Sequence, residues 1–487
     1  MKPRVLFVIP PLVEKVWTFS YDEIYLGAAW IAAHLEQHGV AVSVVDCAVD
    51  CRSLAALQAR IRHVRPHLLA VPVIYGTLEN AYRVARLAHA TGVPRVVFGG
   101  LPATFAPERV MAECPHVDVC VRGEGEVTML ELILARDPAL VSGLVYRDDG
   151  RVVRTPDRPL LADLDQQPLP ARHLFPLKRY RAYSFAQGRK LRSTTVETKR
   201  GCAYACTFCT QAPKEGRRYR LRSPEHVVEE LRAIHTDFPF VRRIMFVDND
   251  FFGPVRHGRE VLEQLLGANL ERRFEFMIAT RIATFRRRDD LIDLCDRANV
   301  RLVYFGVESV SDPCRETLGK IRQSDDLRAL FERLRSRRIH SVGSYIFGFE
   351  NETMEDMEQT IQASFVHMPS IVKYNVLTPY PGTDLYDDYQ ARGLLDQTVP
   401  LTFYDNVHQV IHHSVDLEAL FHSAYRRFYF RPTYLAGVEW TTFFRRTRRN
   451  RFITLAHHAV RREMGGAARD LHRTLTRRWD DPETFLR

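Results

Sequence analysis

From residue 5 to residue 135 the chain alternates short apolar runs with stretches of helical period, a pattern that few folds accept. Residues 5–9, 41–45, 68–74, 95–98 and 117–121 read as buried strands. Residues 25–37, 54–63, 78–91 and 107–113 carry apolar side chains at helical spacing. Strands separated by helices argue for a doubly wound α/β domain, and ligands of such sheets bind beyond the carboxyl ends of the strands. The turns that fall there hold small or loop-forming residues: Pro10-Pro11, Tyr75-Gly76-Thr77, Gly99-Gly100-Leu101-Pro102 and Gly123-Glu124-Gly125. On their own, a ligand site and ordinary turn punctuation explain these residues equally well. Residues 144–153, split by Asp148-Asp149-Gly150, carry a hairpin signal that closes a first domain at 1–155. Pro156, Pro159, Pro168, Pro170 and Pro176 then mark residues 156–190 as a linker.

The length of 487 residues suggests about three domains. No run approaches the ~18 apolar residues of a membrane-spanning helix. The basic start Met1-Lys2-Pro3-Arg4 and the apolar residues 5–13 imitate a signal peptide. Pro10-Pro11 breaks that run, and Glu14-Lys15 stands where a cleavage site belongs, so a buried first strand and a cytoplasmic chain are expected. The net charge is +10, and only 8 of the 69 basic residues are lysine. Such an arginine bias reflects genome nucleotide composition as readily as anion binding. Residues 441–487 hold 12 Arg against 5 acidic residues, which places +7 of the charge in one tail. A nucleic-acid-binding enzyme more often carries a basic stripe along its body, so nucleic acid is not an expected partner. The tail is expected to be a solvated helical face, with anionic lipid or an acidic partner as the alternative.

Chemistry begins at Gly201-Cys202-Ala203-Tyr204-Ala205-Cys206-Thr207-Phe208-Cys209. Three thiols spaced C-x3-C-x2-C can wrap three corners of a 4Fe–4S cube and leave one iron open. A zinc site would want a fourth ligand at short spacing, but the next cysteine is Cys295 and no histidine occurs between Cys209 and His226. A redox pair of Cys206 and Cys209 would leave Cys202 unexplained. Cys47 and Cys51 repeat the four-residue spacing without a third member. With Cys114 and Cys120, which fit no ligand spacing, they read as ordinary thiols.

This loop, with Phe208 before its last cysteine, resembles the signature of the radical S-adenosylmethionine (SAM) enzymes. The resemblance implies a 4Fe–4S cluster on Cys202, Cys206 and Cys209 whose open iron is chelated by SAM, and reductive cleavage to a 5′-deoxyadenosyl radical. It also implies a partial (β/α)6 barrel over residues 191–385. Residues 193–199 are its first strand and residues 243–247 its second, followed by Asp248-Asn249-Asp250 where the family's Gly-Gly-Glu motif meets the SAM amino group. The glycines are missing here, as is usual in the cobalamin-linked branch. Residues 276–281 are the third strand, with Arg281 placed to pair with the SAM carboxylate. Gly306-Val307-Glu308-Ser309 is similar to the motif that holds ribose and methionine, and Ile346 on the fifth strand is placed against adenine. Residues 376–383 close the barrel, and residues 386–487 form a helical, Arg-rich carboxyl-terminal region.

The first domain is similar to the cobalamin-binding domain fused ahead of many radical SAM enzymes, through Leu26-Gly27, Gly99-Gly100 and the run Val121-Arg122-Gly123-Glu124-Gly125-Glu126. The resemblance implies cobalamin near Pro11, Tyr75, Gly76, Thr77, Gly99, Gly100, Leu101, Gly123, Glu124 and Gly125. No Asp-x-His-x-x-Gly occurs, so the first domain offers no histidine to cobalt.

Neighbouring classes are set aside. Methylthiotransferases need a second three-cysteine set and a small β-barrel tail. Enzymes with auxiliary clusters, and the ribosomal-RNA methylases, need cysteines after the barrel, yet the last cysteine is Cys314. Methyl transfer from methylcobalamin to a carbon or phosphorus centre of a small-molecule substrate is the favoured expectation, ahead of radical cyclisation or ring contraction. A flavodoxin or ferredoxin is the expected electron donor. A non-catalytic cobalamin sensor would have no need of the cysteine triad. Tyr404, Tyr425, Phe428, Tyr429, Phe430 and Tyr434 are expected to pack the region after the barrel rather than to line a pocket.

Overall fold

The computed structural model describes residues 2–13, 23–51, 53–135, 137–286, 288–311 and 327–431. Cys314, Tyr434 and the basic tail lie outside the described residues.

Alternating strand and helix segments build two sheets. The first contains β1 (Arg4–Ile9), β2 (Ala41–Asp46), β3 (Leu68–Val73), β4 (Val96–Gly100), β5 (Val119–Val121), β6 (Leu144–Asp148) and β7 (Arg151–Arg154), in the order β2-β1-β3-β4-β5-β6-β7. Pairing is parallel from β2 to β5 and antiparallel where β6 and β7 form the hairpin. The strand order reverses at β1, which opens a crevice at the carboxyl ends. Helices over Leu26–Gln37, Leu54–Val64, Leu78–Ala90 and Pro107–Glu113 cover the faces. Each expected strand and helix of this half is present to within a few residues.

The second sheet begins earlier than expected. β8 (Arg181–Ser184) lies inside the stretch read as a linker and pairs antiparallel with β9 (Arg189–Val196). Its short alternation of exposed and buried residues is hard to separate from proline-rich coil by pattern alone. After β10 (Lys199–Arg200) and β11 (Arg220–Leu221) come β12 (Arg243–Phe246), β13 (Glu275–Ala279), β14 (Val300–Glu308), β15 (His340–Phe347) and β16 (Ile371–Val376). The order β16-β15-β14-β13-β12-β9-β8 leaves six consecutive parallel strands, β9 through β16, curled into half a barrel. The expected closing segment 376–383 shares only Val376 with β16. Pro379 and Pro381 end the ladder, and the rest is a loop beyond the strand.

The carboxyl-terminal helix Leu417–Tyr429 packs on the outer strand β16. Tyr425 accepts from the Tyr374 amide at 3.1 Å, and the Tyr429 hydroxyl donates to the Val372 carbonyl at 3.1 Å. Tyr404, Tyr425 and Phe428 are buried and Tyr429 is half-buried. Phe430 is exposed, and Tyr404 also lines a cavity, against the expectation that these rings only pack. Among the described residues no helix is long and apolar enough to cross a membrane.

The two sheets share a core. Phe98, Tyr75 and Ala103 of the first half belong to one buried cluster with Ile346, Phe349, Leu377, Leu385 and Tyr389 of the second. The approach is close: a Cβ on residue 382 would lie 2.1 Å from Phe105 Cδ1, so only glycine fits there. Polar contacts reinforce the joint. Arg200 and Arg220 both donate to Glu124 Oε1 at 2.9 Å, and Arg200 reaches Glu126 at 2.8 Å.

Candidate functional site

The carboxyl ends of both sheets face the joint. On the barrel side, β10 and β11 pair antiparallel with Arg200 opposite Arg220, and the cysteine loop leaves from that pair. Gly201 starts the loop at φ +89, and a Cβ there would lie 2.1 Å from the Arg218 carbonyl oxygen. No L side chain fits that conformation and that contact together. Glu215 Oε2 accepts from the Gly201 amide at 3.0 Å, and Gly216 O accepts from the Cys202 amide at 3.3 Å.

Cys202, Cys206 and Cys209 are half-buried free thiols. Burial pushes the Cys209 thiol up to about 11, and the neighbouring Cys206 and Cys202 add to the rise. Cys202 is raised for the same first reason, with Asp250 and Cys206 as charged neighbours. Among the described residues no three His, Cys, Asp or Glu side chains converge on a single-ion position. The short spacing of the three thiols on one half-buried loop suits three corners of a cluster. Cys47, Cys51, Cys114, Cys120 and Cys295 are buried free thiols away from this loop.

The polar residues after β12 divide their roles in a way the sequence does not reveal. Asp248, expected to face SAM, turns Oδ1 back to accept from the Thr198 amide (2.9 Å), the Thr198 hydroxyl (3.0 Å) and the Lys199 amide (3.0 Å). That oxygen closes the entry to the cysteine loop, while Oδ2 is buried with no hydrogen-bond partner among the described residues. Asn249 is exposed. The residue facing the thiols is Asp250, 3% exposed, whose Oδ1 accepts from the Thr280 hydroxyl at 2.7 Å and whose charge acts on Cys202. Nothing in a run of Asp-Asn-Asp says which member turns inward. The bracing amides lie some fifty positions earlier in the chain.

Arg281 stands over the Tyr204 ring of the cysteine loop at 3.6 Å, a cation–π contact that places the guanidinium beside the thiols. Glu308 has φ +67 and follows a register shift between β14 and β15, so the bulge re-aims its carboxylate, whose charge acts on Cys209. Ser309, expected to touch SAM, is engaged elsewhere. Its buried hydroxyl meets Ser311 (3.0 Å), Glu352 (3.2 Å) and Thr360 (3.3 Å). Glu352 Oε2 also accepts from the Gly348 and Phe349 amides at 2.7 and 3.1 Å, so this carboxylate braces the carboxyl end of β15. Phe208 and Ile346 both pack in the cluster that joins the two halves.

On the first sheet, Tyr75, Gly76 and Leu101 line a cavity of roughly 170 Å³ with Leu12, Val13 and the post-barrel segment Thr402–His408. Tyr75 rests 5.1 Å from Tyr380, and its carbonyl accepts from Thr402 at 3.3 Å. Pro11 and Thr77 serve the turns around it: the Pro11 carbonyl accepts from Asn80 at 3.0 Å, and the Thr77 hydroxyl donates to Ile74 O at 2.9 Å. A Cβ on Gly99 would meet nothing within 4 Å, which leaves an open cradle at the end of β4. Gly100, at φ +115, crosses closely over Val73. Gly123 donates to Thr104 at 3.1 Å, and Gly125 packs on Ile31. Glu124 is not available to a ligand. Arg200, Arg220 and the Leu161 amide (2.6 Å) fill both its oxygens, and the carboxylate is part of the joint between the two halves.

A half-barrel with three thiols on the loop after its first parallel strand defines a radical SAM enzyme. The Radical SAM superfamily model matches residues 196–363, and the B12 binding domain model matches residues 16–133. An uncharacterized methyltransferase of Pyrococcus horikoshii is 30% identical over 443 residues, spanning 89% of this chain and 94% of the relative. An anaerobic magnesium-protoporphyrin IX monomethyl ester cyclase of Rubrivivax gelatinosus is 27% identical, spanning 79% of this chain and 70% of the relative. Two solved structures share the fold. One is the cobalamin-dependent SAM radical enzyme OxsB (TM-score 0.69, 17% identity, 88% of this chain and 67% of that one). The other is the radical SAM methyltransferase TsrM of Kitasatospora setae (TM-score 0.64, 20% identity, 82% and 80%). The chain belongs to the cobalamin-binding radical SAM family, and its cofactors are a 4Fe–4S cluster, SAM and cobalamin.

Proposed function

We propose that the enzyme methylates an unactivated carbon, or a phosphorus, of a small-molecule intermediate. The observation that carries this reading is the near-complete overlap with a relative named as a methyltransferase, 94% of whose length is matched. Methylase names recur among more distant relatives, including a hopanoid C-3 methylase of Methylococcus capsulatus at 27% identity. A second reading, radical cyclisation without methyl transfer, rests on the cyclase relative at 27% identity.

When bound, the cluster supplies the electron that cleaves SAM, and cobalamin supplies a methyl carrier. The chain's own residues do the holding. Cys202, Cys206 and Cys209 would bind three irons. Asp250, in place of Asp248, would take the SAM amino group and Arg281 its carboxylate, with Glu308 toward the ribose and Ile346 and Phe208 as the apolar wall. Gly99, Tyr75, Gly76 and Leu101 would cradle the corrin. The cavity below the Thr402–His408 segment would receive that face. Hydrogen-atom abstraction needs no general base, so the site is built to orient and exclude rather than to titrate.

We assign residues 1–155 to the cobalamin domain, 191–385 to the barrel and 386–487 to a substrate-selecting region, in a cytoplasmic enzyme reduced by a flavodoxin or ferredoxin. The first test is metal content after anaerobic purification with cobalamin supplied. About four iron and about one cobalt per chain are expected, with iron lost in Cys206→Ala. Iron without cobalt would overturn methyl transfer and favour the cyclase reading. SAM labelled in its methyl group then tests transfer to product.

A further inference from the structure

One buried hydroxyl lies against the cysteine loop. The pairing of Arg200 with Arg220, continued one step toward the loop, sets Tyr219 opposite Gly201 and next to Cys202. The two segments touch at this step, where a Cβ on Gly201 would collide with Arg218. The Tyr219 hydroxyl is buried, with the Cys202 thiol and the Ala203 backbone as its hydrogen-bonding neighbours. Its electrostatic neighbours are Asp250, Cys202 and Tyr204. The same hydroxyl fixes the next turn: a Cβ on Gly253 would lie 2.3 Å from it and 2.8 Å from Asp250 Oδ2. Glycine at 253 therefore makes room for a phenol and a carboxylate side by side against the thiol loop.

A buried donor settles on the best acceptor in its reach. The acceptor that arrives at this place is sulfur. A phenol O–H is a donor, and a thiolate beside it can only accept. Asp250 already accepts from Thr280 through Oδ1.

We infer that Tyr219 donates a hydrogen bond to the Cys202 thiolate once the cluster is in place, and so sets the reduction potential of that cluster. A donor at a ligand sulfur offsets negative charge, and the reduced cluster, with one more electron, gains more from it than the oxidised one. Tyr219 is thus a positioning residue for the electron that opens the reaction. The inference rests on the cluster reading, which the iron content of the unaltered protein tests separately.

The experiment is a potentiometric titration of the anaerobically reconstituted full chain and of Tyr219→Phe, read by electron paramagnetic resonance of the reduced cluster. The expected result is equal iron content and a midpoint more negative in Tyr219→Phe. A tenfold change in the equilibrium corresponds to ~59 mV for one electron. Equal iron with an unmoved or more positive midpoint would overturn the inference. Should Tyr219→Phe fail to load iron, ring-deuterated tyrosine in a Tyr204→Phe chain decides the matter. Deuterium coupling to the reduced cluster then supports the contact, and its absence overturns it.

Discussion

Glu230 sits fully buried between two guanidinium groups, Arg172 and Arg222, and Arg222 lies 5.1 Å from the centre of the Trp30 ring. Taking this carboxylate away would leave two cations in the interior without their counter-charge. Glu230→Gln is expected to cost about 3–5 kcal/mol, seen as a lower urea midpoint. The same pairing predicts a pH dependence. Burial alone would push the Glu230 pKa up, but Arg222 and Arg172 outweigh it and hold the carboxyl below its usual value. A depressed folded value means that stability from this group is present above the unfolded pKa of about 4.3 and is lost as pH falls through the folded one. The difference in urea midpoint between the parent chain and Glu230→Gln should hold between pH 7 and 5 and shrink below about 4.3. Asp248→Ala belongs to the same scale. It strips one acceptor from three donors at the mouth of the cysteine loop. A loss of about 2–3 kcal/mol is expected by thermal unfolding.

At the scale of elements, the backbone decides more than side-chain chemistry does. Gly201→Ala places a Cβ against a carbonyl at a positive φ, so the loop cannot leave β10 as it does. Iron content after reconstitution is expected to fall to a small fraction, with far-ultraviolet dichroism nearly unchanged. This scale also shows what a sequence can reveal. The cysteine loop was legible because its ligands are local: eight residues hold all three. The parallel strands were legible because burial on both faces leaves an unbroken apolar run. The protein contacts of Asp248 and Ser309 are not legible for the opposite reason. What they bond to lies some fifty and forty residues away, and only the packed ends of β9 and β15 reveal it. β8 escaped notice because an edge strand of four residues carries almost no periodic signal.

Across the whole molecule, the two halves are tied by charge as well as by apolar contact. Glu124, Arg200 and Arg220 are each about nine-tenths buried or more, and Glu124 stands at the end of β5 while the arginines flank the cysteine loop. Glu124→Ala is expected to cost about 3 kcal/mol and to open the joint, read as faster amide exchange in β10 and β11 while β1 and β3 stay protected. The glycine-rich run that contains Glu124 was visible as a turn, but its partners lie 76 and 96 positions away. A charge joining two units over such distances leaves no local pattern.

The glycine at 382 beneath Phe105 carries a consequence for the engineering of such chains. The two halves are cut to each other's shape here, and the fit is a matter of single atoms. A chimera that borrows its first sheet from a distant relative would have to bring a small residue opposite its own aromatic, or refit the seam. Exchange of a whole half would therefore meet this seam first.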